Sequence, residues 1–402
     1  MKRLQIIASV HPAGGGPIEG IRQQATVHAT AGIVEHIVSL DPPDAPWVAD
    51  FPFPLFACGE PMAATRRWKR WLPWRRYGYQ PGFARWLMNH VAEYDVVVVN
   101  GLWNYATMGA RLILPRSGVP YAVFTHGMLD PWFKRTYPLK GALKQLFWLF
   151  NEGVLLRHAA RVLFTTEEER IRARGAFLPY RVRDAVVGYG TSDPLATSDA
   201  TDLDSASAAF RARVPGVTRP YLLYLSRIHP KKGCDLLLDA FAAICAEQDL
   251  DLVMAGPAAE GYQTALRRQT QALGIADRVH WPGMVQGAAK WGAYHGAVAF
   301  VLPSHQENFG VVVAEAMACR RPVLISDKVN IWREVDACGG GLIEPDTVDG
   351  VTRLLRRFLV LTPAARVEMG ERGRAGFLEH FEIRNAAQAL NLVLQEVARR
   401  EL

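Results

Sequence analysis

Short runs of consecutive apolar residues alternate along this chain with longer stretches whose apolar positions recur every three or four residues. Runs at 4–10, 34–40, 96–99, 121–124, 161–165 and 184–187 make one series. Those at 221–225, 252–255, 279–281, 297–302 and 322–325 make a second. A run apolar on both faces predicts a strand covered on both sides, and strands separated by amphipathic helices such as 18–31 and 236–247 pair in parallel. The pattern predicts an α/β chain with two Rossmann-like, doubly wound domains. Between the series, 190–220 is rich in Ser, Thr, Asp and Ala and poor in large apolar residues, which reads as loop and linker. The expected division is an N-terminal domain of 1–190, a C-terminal domain of 191–380 and a closing helix in 381–402.

Composition narrows the class. With 402 residues, 50% hydrophobic and 21% charged, the chain is neither disordered nor collagen-like. Its net charge of +7 is uneven: 1–190 carry 23 Lys+Arg against 14 Asp+Glu, and 191–402 carry 23 against 25. The five cysteines are odd in number and lack C-x-x-C spacing, so they read as reduced packing thiols without a zinc framework. The start MKRLQIIASVHP resembles a signal peptide, but its apolar run is short and meets Gly14-Gly15-Gly16-Pro17. A first buried strand is the better reading. No apolar stretch approaches the ~18 residues needed to span a bilayer, so a soluble or peripheral protein is expected.

Two segments carry the candidate chemistry. Pro303-Ser304-His305-Gln306-Glu307-Asn308-Phe309-Gly310 follows the 297–302 run, and a helical pattern starts near Gly310. The first-turn amides of such a helix lack internal partners and make an anion site at the C-terminal edge of the sheet. Glu307 lies in the loop and Glu315 within the helix, roughly 12 Å of helical rise away. Two carboxylates so spaced can reach opposite ends of one elongated ligand, although a solvated loop acid and a capping acid would look the same. Upstream, Arg227 and Lys232 leave the 221–225 run just before Gly233. A diphosphate suits them, Arg by its fork geometry and Lys as a point charge; a basic surface loop would also read this way.

Taken in order, Gly14-Gly15-Gly16-Pro17, His126-Gly127, Arg227…Lys232-Gly233 and Glu307-x7-Glu315 within PSHQENFG…AEAMA resemble glycosyltransferase family 4 over nearly the whole chain. The resemblance implies the GT-B fold, two Rossmann-like domains facing a central cleft, and retaining transfer from a nucleoside-diphosphate sugar. It puts Arg227 and Lys232 at the donor diphosphate, Glu307 at the sugar hydroxyls and Glu315 at the ribose hydroxyls. The amides of Asn308, Phe309 and Gly310 then touch phosphate or sugar, and Met284 and Val285 hold the base. Gly15 and Gly16 let the first loop approach the phosphates. His126 lies near donor sugar and acceptor, although a satisfied core histidine fits it too. His126, Arg227, Lys232 and Glu307 form the implied catalytic set. The family usually has Gly where this chain has Arg320, a left-handed helix terminator; a small stability cost and an intact site are expected. The closing helix resembles the family's return helix, which packs back onto the first domain.

No cofactor beyond the nucleotide sugar, and no metal, is expected. Asp202-Leu203-Asp204 and Asp249-Leu250-Asp251 spell the D-x-D of metal-using transferases. One falls in the linker and the other just before a strand, so both read as solvated loop acids.

Residues 66–76 remain unabsorbed. They hold six cations, three tryptophans and no acid: Arg66, Arg67, Trp68, Lys69, Arg70, Trp71, Trp74, Arg75 and Arg76 among them. Tryptophan favours the membrane interface, and each cation near an anionic leaflet adds about 1 kcal/mol. A lipid-linked glycan acceptor and an anionic membrane surface are the partners this implies. Residues 132–135 and 140–144 extend the same face. The location expected is cytoplasmic, peripheral at the inner face of the plasma membrane, in polysaccharide or cell-envelope assembly.

The rivals fit less of the chain. The first turn has Glu19 where a dinucleotide-binding G-x-G-x-x-G needs its third glycine. A glycoside hydrolase uses paired carboxylates but has no evident use for Arg227 and Lys232. A nucleotide-sugar 2-epimerase shares the GT-B fold and stays as the alternative. A non-catalytic membrane or nucleic-acid binding protein explains 66–76 and leaves the second half without a role; nucleic acid is an unlikely partner.

Overall fold

The uninterrupted Val96–Asn100 run becomes a strand whose four valines are all buried, because helices cover both faces of its sheet. In the computed structural model, residues 1–62, 77–196 and 200–399 are described. They form two compact units, Met1–Gly190 with Ile383–Leu402, and Thr191–Glu382.

The first unit is a parallel seven-stranded sheet in the order β3-β2-β1-β4-β5-β6-β7. Its strands are β1 (Lys2–Ile6), β2 (Val34–Ser39), β3 (Leu55–Ala57), β4 (Val96–Asn100), β5 (Tyr121–Phe124), β6 (Arg161–Phe164) and β7 (Asp184–Val186). The second is a parallel six-stranded sheet in the order β10-β9-β8-β11-β12-β13. It contains β8 (Tyr221–Leu225), β9 (Asp251–Ala255), β10 (Val279–Gly283), β11 (Ala297–Leu302), β12 (Val323–Ser326) and β13 (Gly341–Glu344). Each unit is a doubly wound Rossmann-like domain.

Several local readings are corrected. β1 begins at Lys2 and ends at Ile6, so Arg3 is an interior residue, fully buried. Its guanidinium donates to Asn391 Oδ1 and lies 3.6 Å from Glu35. His28 sits beside it, 2.9 Å from Glu35 and 3.0 Å from the Ala387 carbonyl. This buried polar cluster fastens the Ile383–Arg399 helix to the first unit. β3 and β13 escape the apolar-run reading because they are short edge strands with half-exposed side chains.

The supposed linker is largely a helix, Ala200–Arg213. Its small residues serve close packing. Ala206 and Phe210 are buried, and a side chain at Gly292 of the Gly287–Gly296 helix would collide with the Ala206 carbonyl. Alanine, read as linker composition, here lets two helices approach.

Arg320 ends the Val311–Ala318 helix at φ 56°, in the left-handed region. A Cβ there costs about 1 kcal/mol. The exposed Arg320–Glu371 pair at 3.1 Å offsets little of that. Arg320→Gly is expected to raise the unfolding free energy by about 0.5–1 kcal/mol in urea denaturation. A clear loss of stability would show that the arginine side chain outweighs the backbone strain.

Candidate functional site

The order of the second sheet reverses between β8 and β11, where the chain leaves the two strands in opposite directions. That is a topological switch point, and the loops after both strands meet there. The 226–233 loop is anchored from below by the buried Tyr224, whose hydroxyl donates to the Arg227 carbonyl at 2.9 Å. It is tied sideways as well. The Lys231 carbonyl accepts from the His305 amide at 2.9 Å and from Ser304 Oγ at 3.1 Å. Gly233, at φ 64°, passes so close to Pro303 that a Cβ would strike its carbonyl oxygen. Only glycine permits this approach.

The stitching brings Lys232 against Glu307. Their side chains form a direct ion pair, that of Lys232 7% exposed and that of Glu307 20%. Burial alone would raise the Glu307 carboxyl. The charge and hydrogen bond of Lys232, with Lys231 and the Asn308 amide, hold it below the usual carboxylate range. Arg227 stays exposed at the same edge. His229 reports the local field: burial, then the charges of Arg227, Lys231 and Lys232, pull its imidazole below the ordinary value. Two helices, Cys234–Cys245 and Val311–Ala318, start at Gly233 and Gly310 and direct their first-turn amides here. The arrangement can neutralise a diphosphate.

Glu315 is buried in the Val311–Ala318 helix and held at both oxygens. Lys290 Nζ lies 2.9 Å from Oε1, and the Tyr294 hydroxyl donates to Oε2 at 3.0 Å. Sequence reasoning missed Lys290 and Tyr294, whose four-residue spacing on one helix carries no motif. Glu307 is fixed through its backbone, donating to the Lys328 carbonyl and accepting from the Asn330 amide, both at 3.1 Å. Phe309 is buried edge-on against Phe381 at 5.4 Å. After β10, Val285 is buried and Met284 exposed, with the Met284 carbonyl accepting from Arg213 at 2.9 Å.

In the first unit, the residues of interest follow β1 and β5. Gly15 caps the Gly16–Thr30 helix at φ 75°, and Gly16 is that helix's first residue, so the triple glycine is a loop end and a helix start. The Tyr189 hydroxyl donates to the Gly16 carbonyl and occupies the space a side chain at Gly20 would need. His126 takes the left-handed φ of 48° at the end of β5. Its ring stacks on Phe124 at 4.5 Å and meets Tyr189 edge-on at 6.2 Å. Asn100 spends its amide protons on Gln5 at 2.8 Å and the Ile6 carbonyl at 3.3 Å. Its Oδ1 therefore accepts from His126 Nε2–H at 3.0 Å, which leaves Nδ1 as the unprotonated nitrogen.

The acidic pairs fall out of contention. Asp251 is no solvated loop acid: it opens β9 fully buried, 3.1 Å from both Arg278 and His280. Asp249 pairs with Arg219 at 2.7 Å. Both mark the opposite edge of the sheet from the cationic loops. Asp204 lies on the Ala200–Arg213 helix. Arg66, Arg67, Trp68, Lys69, Arg70, Trp71 and Trp74 lie outside the described residues.

Two family models match the chain: a glycosyl transferase 4-like domain over 15–190 and glycosyl transferases group 1 over 208–376. The chain is similar to D-inositol 3-phosphate glycosyltransferase of Xylanimonas cellulosilytica, 35% identical over 213 residues. That match covers 50% of this chain and 46% of the relative, so it spans about half the relative's length. Among solved structures, sucrose-phosphate synthase from Thermosynechococcus elongatus is 19% identical with a TM-score of 0.76, over 98% of each chain. HepE of Anabaena, in complex with UDP and glucose, is 17% identical with a TM-score of 0.76, over 98% of this chain and 100% of that one. These structural likenesses show a shared fold.

Burial pulls the imidazole of half-buried His126 down to about 3. The unfolded value is roughly 6.5. Neutral His126 thus contributes stability that is complete above about pH 6.5 and lost as pH falls toward 3. Its NMR ring signals are expected to stay those of a neutral imidazole from pH 8 to pH 5. A midpoint between pH 6 and 7 would contradict the enclosure described.

Proposed function

This chain belongs to the family 4 glycosyltransferases of the GT-B fold, and from that premise we propose that it is a retaining enzyme. It moves a sugar from a nucleoside-diphosphate sugar to a lipid-linked glycan acceptor in polysaccharide assembly. The observation that carries the reading is the Lys232–Glu307 pair beside Arg227 and two helix N-termini.

The donor diphosphate takes Lys232 and Arg227 as counter-charges, and Glu307, released from its partner, accepts hydrogen bonds from the sugar hydroxyls. Glu315, oriented by Lys290 and Tyr294, accepts the ribose diol. The amides of 308–310 meet the phosphate or sugar, Met284 and Val285 hold the base, and Gly15 and Gly16 keep the first loop narrow. As the bond from the anomeric carbon to the phosphate oxygen lengthens, negative charge collects on the diphosphate and positive charge on the sugar ring. Preorganised cations and amides stabilise the first of these. The acceptor hydroxyl attacks from the face the diphosphate leaves, its oxygen bonding to the anomeric carbon while its proton passes to the departing phosphate oxygen. His126, through the unprotonated Nδ1, accepts a hydrogen bond from a sugar or acceptor hydroxyl. No metal is invoked, since cationic side chains supply the counter-charge and the Asp249–Asp251 acids are engaged elsewhere.

The acceptor and membrane parts rest on the six cations and three tryptophans of 66–76. We place the enzyme at the inner face of the plasma membrane. No helix among the described residues is long and apolar enough to cross a bilayer.

A panel of nucleotide sugars tests the donor side, with UDP-glucose first because the fold is shared with HepE bound to UDP and glucose. A true donor at a hundred times its Kd stabilises by about 2.7 kcal/mol in thermal unfolding. With that donor, Glu307→Gln and Lys232→Met are each expected to lower turnover about 10²–10³-fold while remaining folded, and EDTA is expected to leave turnover unchanged. Near-normal turnover in both variants would remove the site assignment, and abolition by EDTA would reinstate a metal.

A further inference from the structure

The Pro138–Phe150 helix turns its apolar side the wrong way for a core helix. Only Gly141 and Trp148 are buried on its inner side. It is fastened there by Trp148 Nε1 donating to the Pro179 carbonyl at 2.9 Å and Gln145 Nε2 donating to the Leu178 carbonyl at 2.6 Å. The outer side carries Leu139, Leu143, Leu146 and Phe150, exposed by 89%, 58%, 52% and 67%. Their spacing of four, three and four residues puts them in one stripe along the helix. Soluble proteins rarely leave such a stripe uncovered.

Charge identifies the cover. No Asp or Glu occurs between Asp130 and Glu152, while Lys134, Lys140 and Lys144 do. Lys140 lies beside the stripe with its ammonium 4.9 Å from the Tyr137 ring, and Tyr137 and Phe133 are themselves exposed. Lys134 and Lys144 turn inward, over the Phe177 and Trp103 rings at 5.7 and 4.7 Å, so Lys140 is the cation beside the ridge. An apolar ridge with that lysine and exposed aromatic rings, in a stretch of chain without acids, is complementary to an anionic bilayer. A helix of 13 residues is too short to span one and lies in its plane. Tyr77, the first described residue after 63–76, packs on Phe147 of this helix at 5.9 Å.

We propose that the outward face of the Pro138–Phe150 helix is the lipid-docking surface of the protein, inserting Leu139, Leu143, Leu146 and Phe150 among the acyl chains of an anionic leaflet with Lys140 at its headgroups. The inference rests on the membrane part of the proposed function and is independent of the donor site.

Sedimentation of the full chain with vesicles tests it, using phosphatidylcholine containing 30% phosphatidylglycerol against phosphatidylcholine alone. The wild-type protein is expected to bind the anionic vesicles preferentially. Leu143→Glu/Phe150→Glu is expected to lose about tenfold or more of that binding. Both sites are exposed, so the double variant is expected to keep the wild-type Tm and its stabilisation by the donor nucleotide. Loss of vesicle binding with intact donor binding supports the docking helix. Equal binding by variant and wild type, indifference to lipid charge, or no wild-type binding would overturn it. So would self-association abolished by the double variant without any vesicle binding, which would make a second copy the partner. Failure of donor stabilisation in both proteins would count against the transferase reading and leave the lipid result standing.

Discussion

The ion pair between Lys232 and Glu307 is the constraint around which the donor-side loops are arranged. The two residues leave different strands, β8 and β11, and both are largely withdrawn from water. Such charges are tolerated because each has the other; removing one leaves an uncompensated ion. The surrounding contacts serve this meeting: the Lys231 carbonyl binds the second loop, Gly233 lets the backbones pass, and Tyr224 props the first loop from beneath. In the proposed reading, a diphosphate arriving at this edge exchanges one anionic partner of Lys232 for another. In that reading, the carboxylate freed by the exchange turns to accept hydrogen bonds from the sugar hydroxyls.

The first unit uses burial for a different end. His126 is kept neutral by its withdrawal from water, and the Asn100 amide decides which nitrogen bears its proton. A neutral ring with Nδ1 as acceptor suits hydroxyl recognition better than proton storage. The chain's charge asymmetry fits this division. The proposed diphosphate site uses a few local cations within the half of net charge −2, while the half of net charge +9 holds 66–76 and the lysines around 134–144.

Most of the fold was legible because a parallel sheet buried on both faces leaves apolar runs that nothing else explains, as at β4, β8 and β11. What escaped did so for physical reasons. β3 and β13 are edge strands whose side chains are only partly covered. Arg3 reads as a polar flank, and only its partners on β2 and on the closing helix make it interior. Ala200–Arg213 reads as linker because the alanines that allow close helix packing also occur in linkers. On the donor side, Arg227, Lys232, Glu307 and Glu315 stood out as charges at strand ends and helix starts. Lys290 and Tyr294 left no such trace, because their role depends on a helix from elsewhere in the chain meeting Glu315. Gly20, inside a helical pattern, was a readable sign of the close approach that Tyr189 makes.

In the proposed function the donor opens the Lys232–Glu307 pair. A crystal structure with an intact nucleoside-diphosphate sugar measures this directly. Lys232 Nζ is expected within hydrogen-bond distance of a diphosphate oxygen and the Glu307 carboxylate on the sugar hydroxyls. A donor bound with the Lys232–Glu307 pair closed, its phosphates held by other residues, would contradict it.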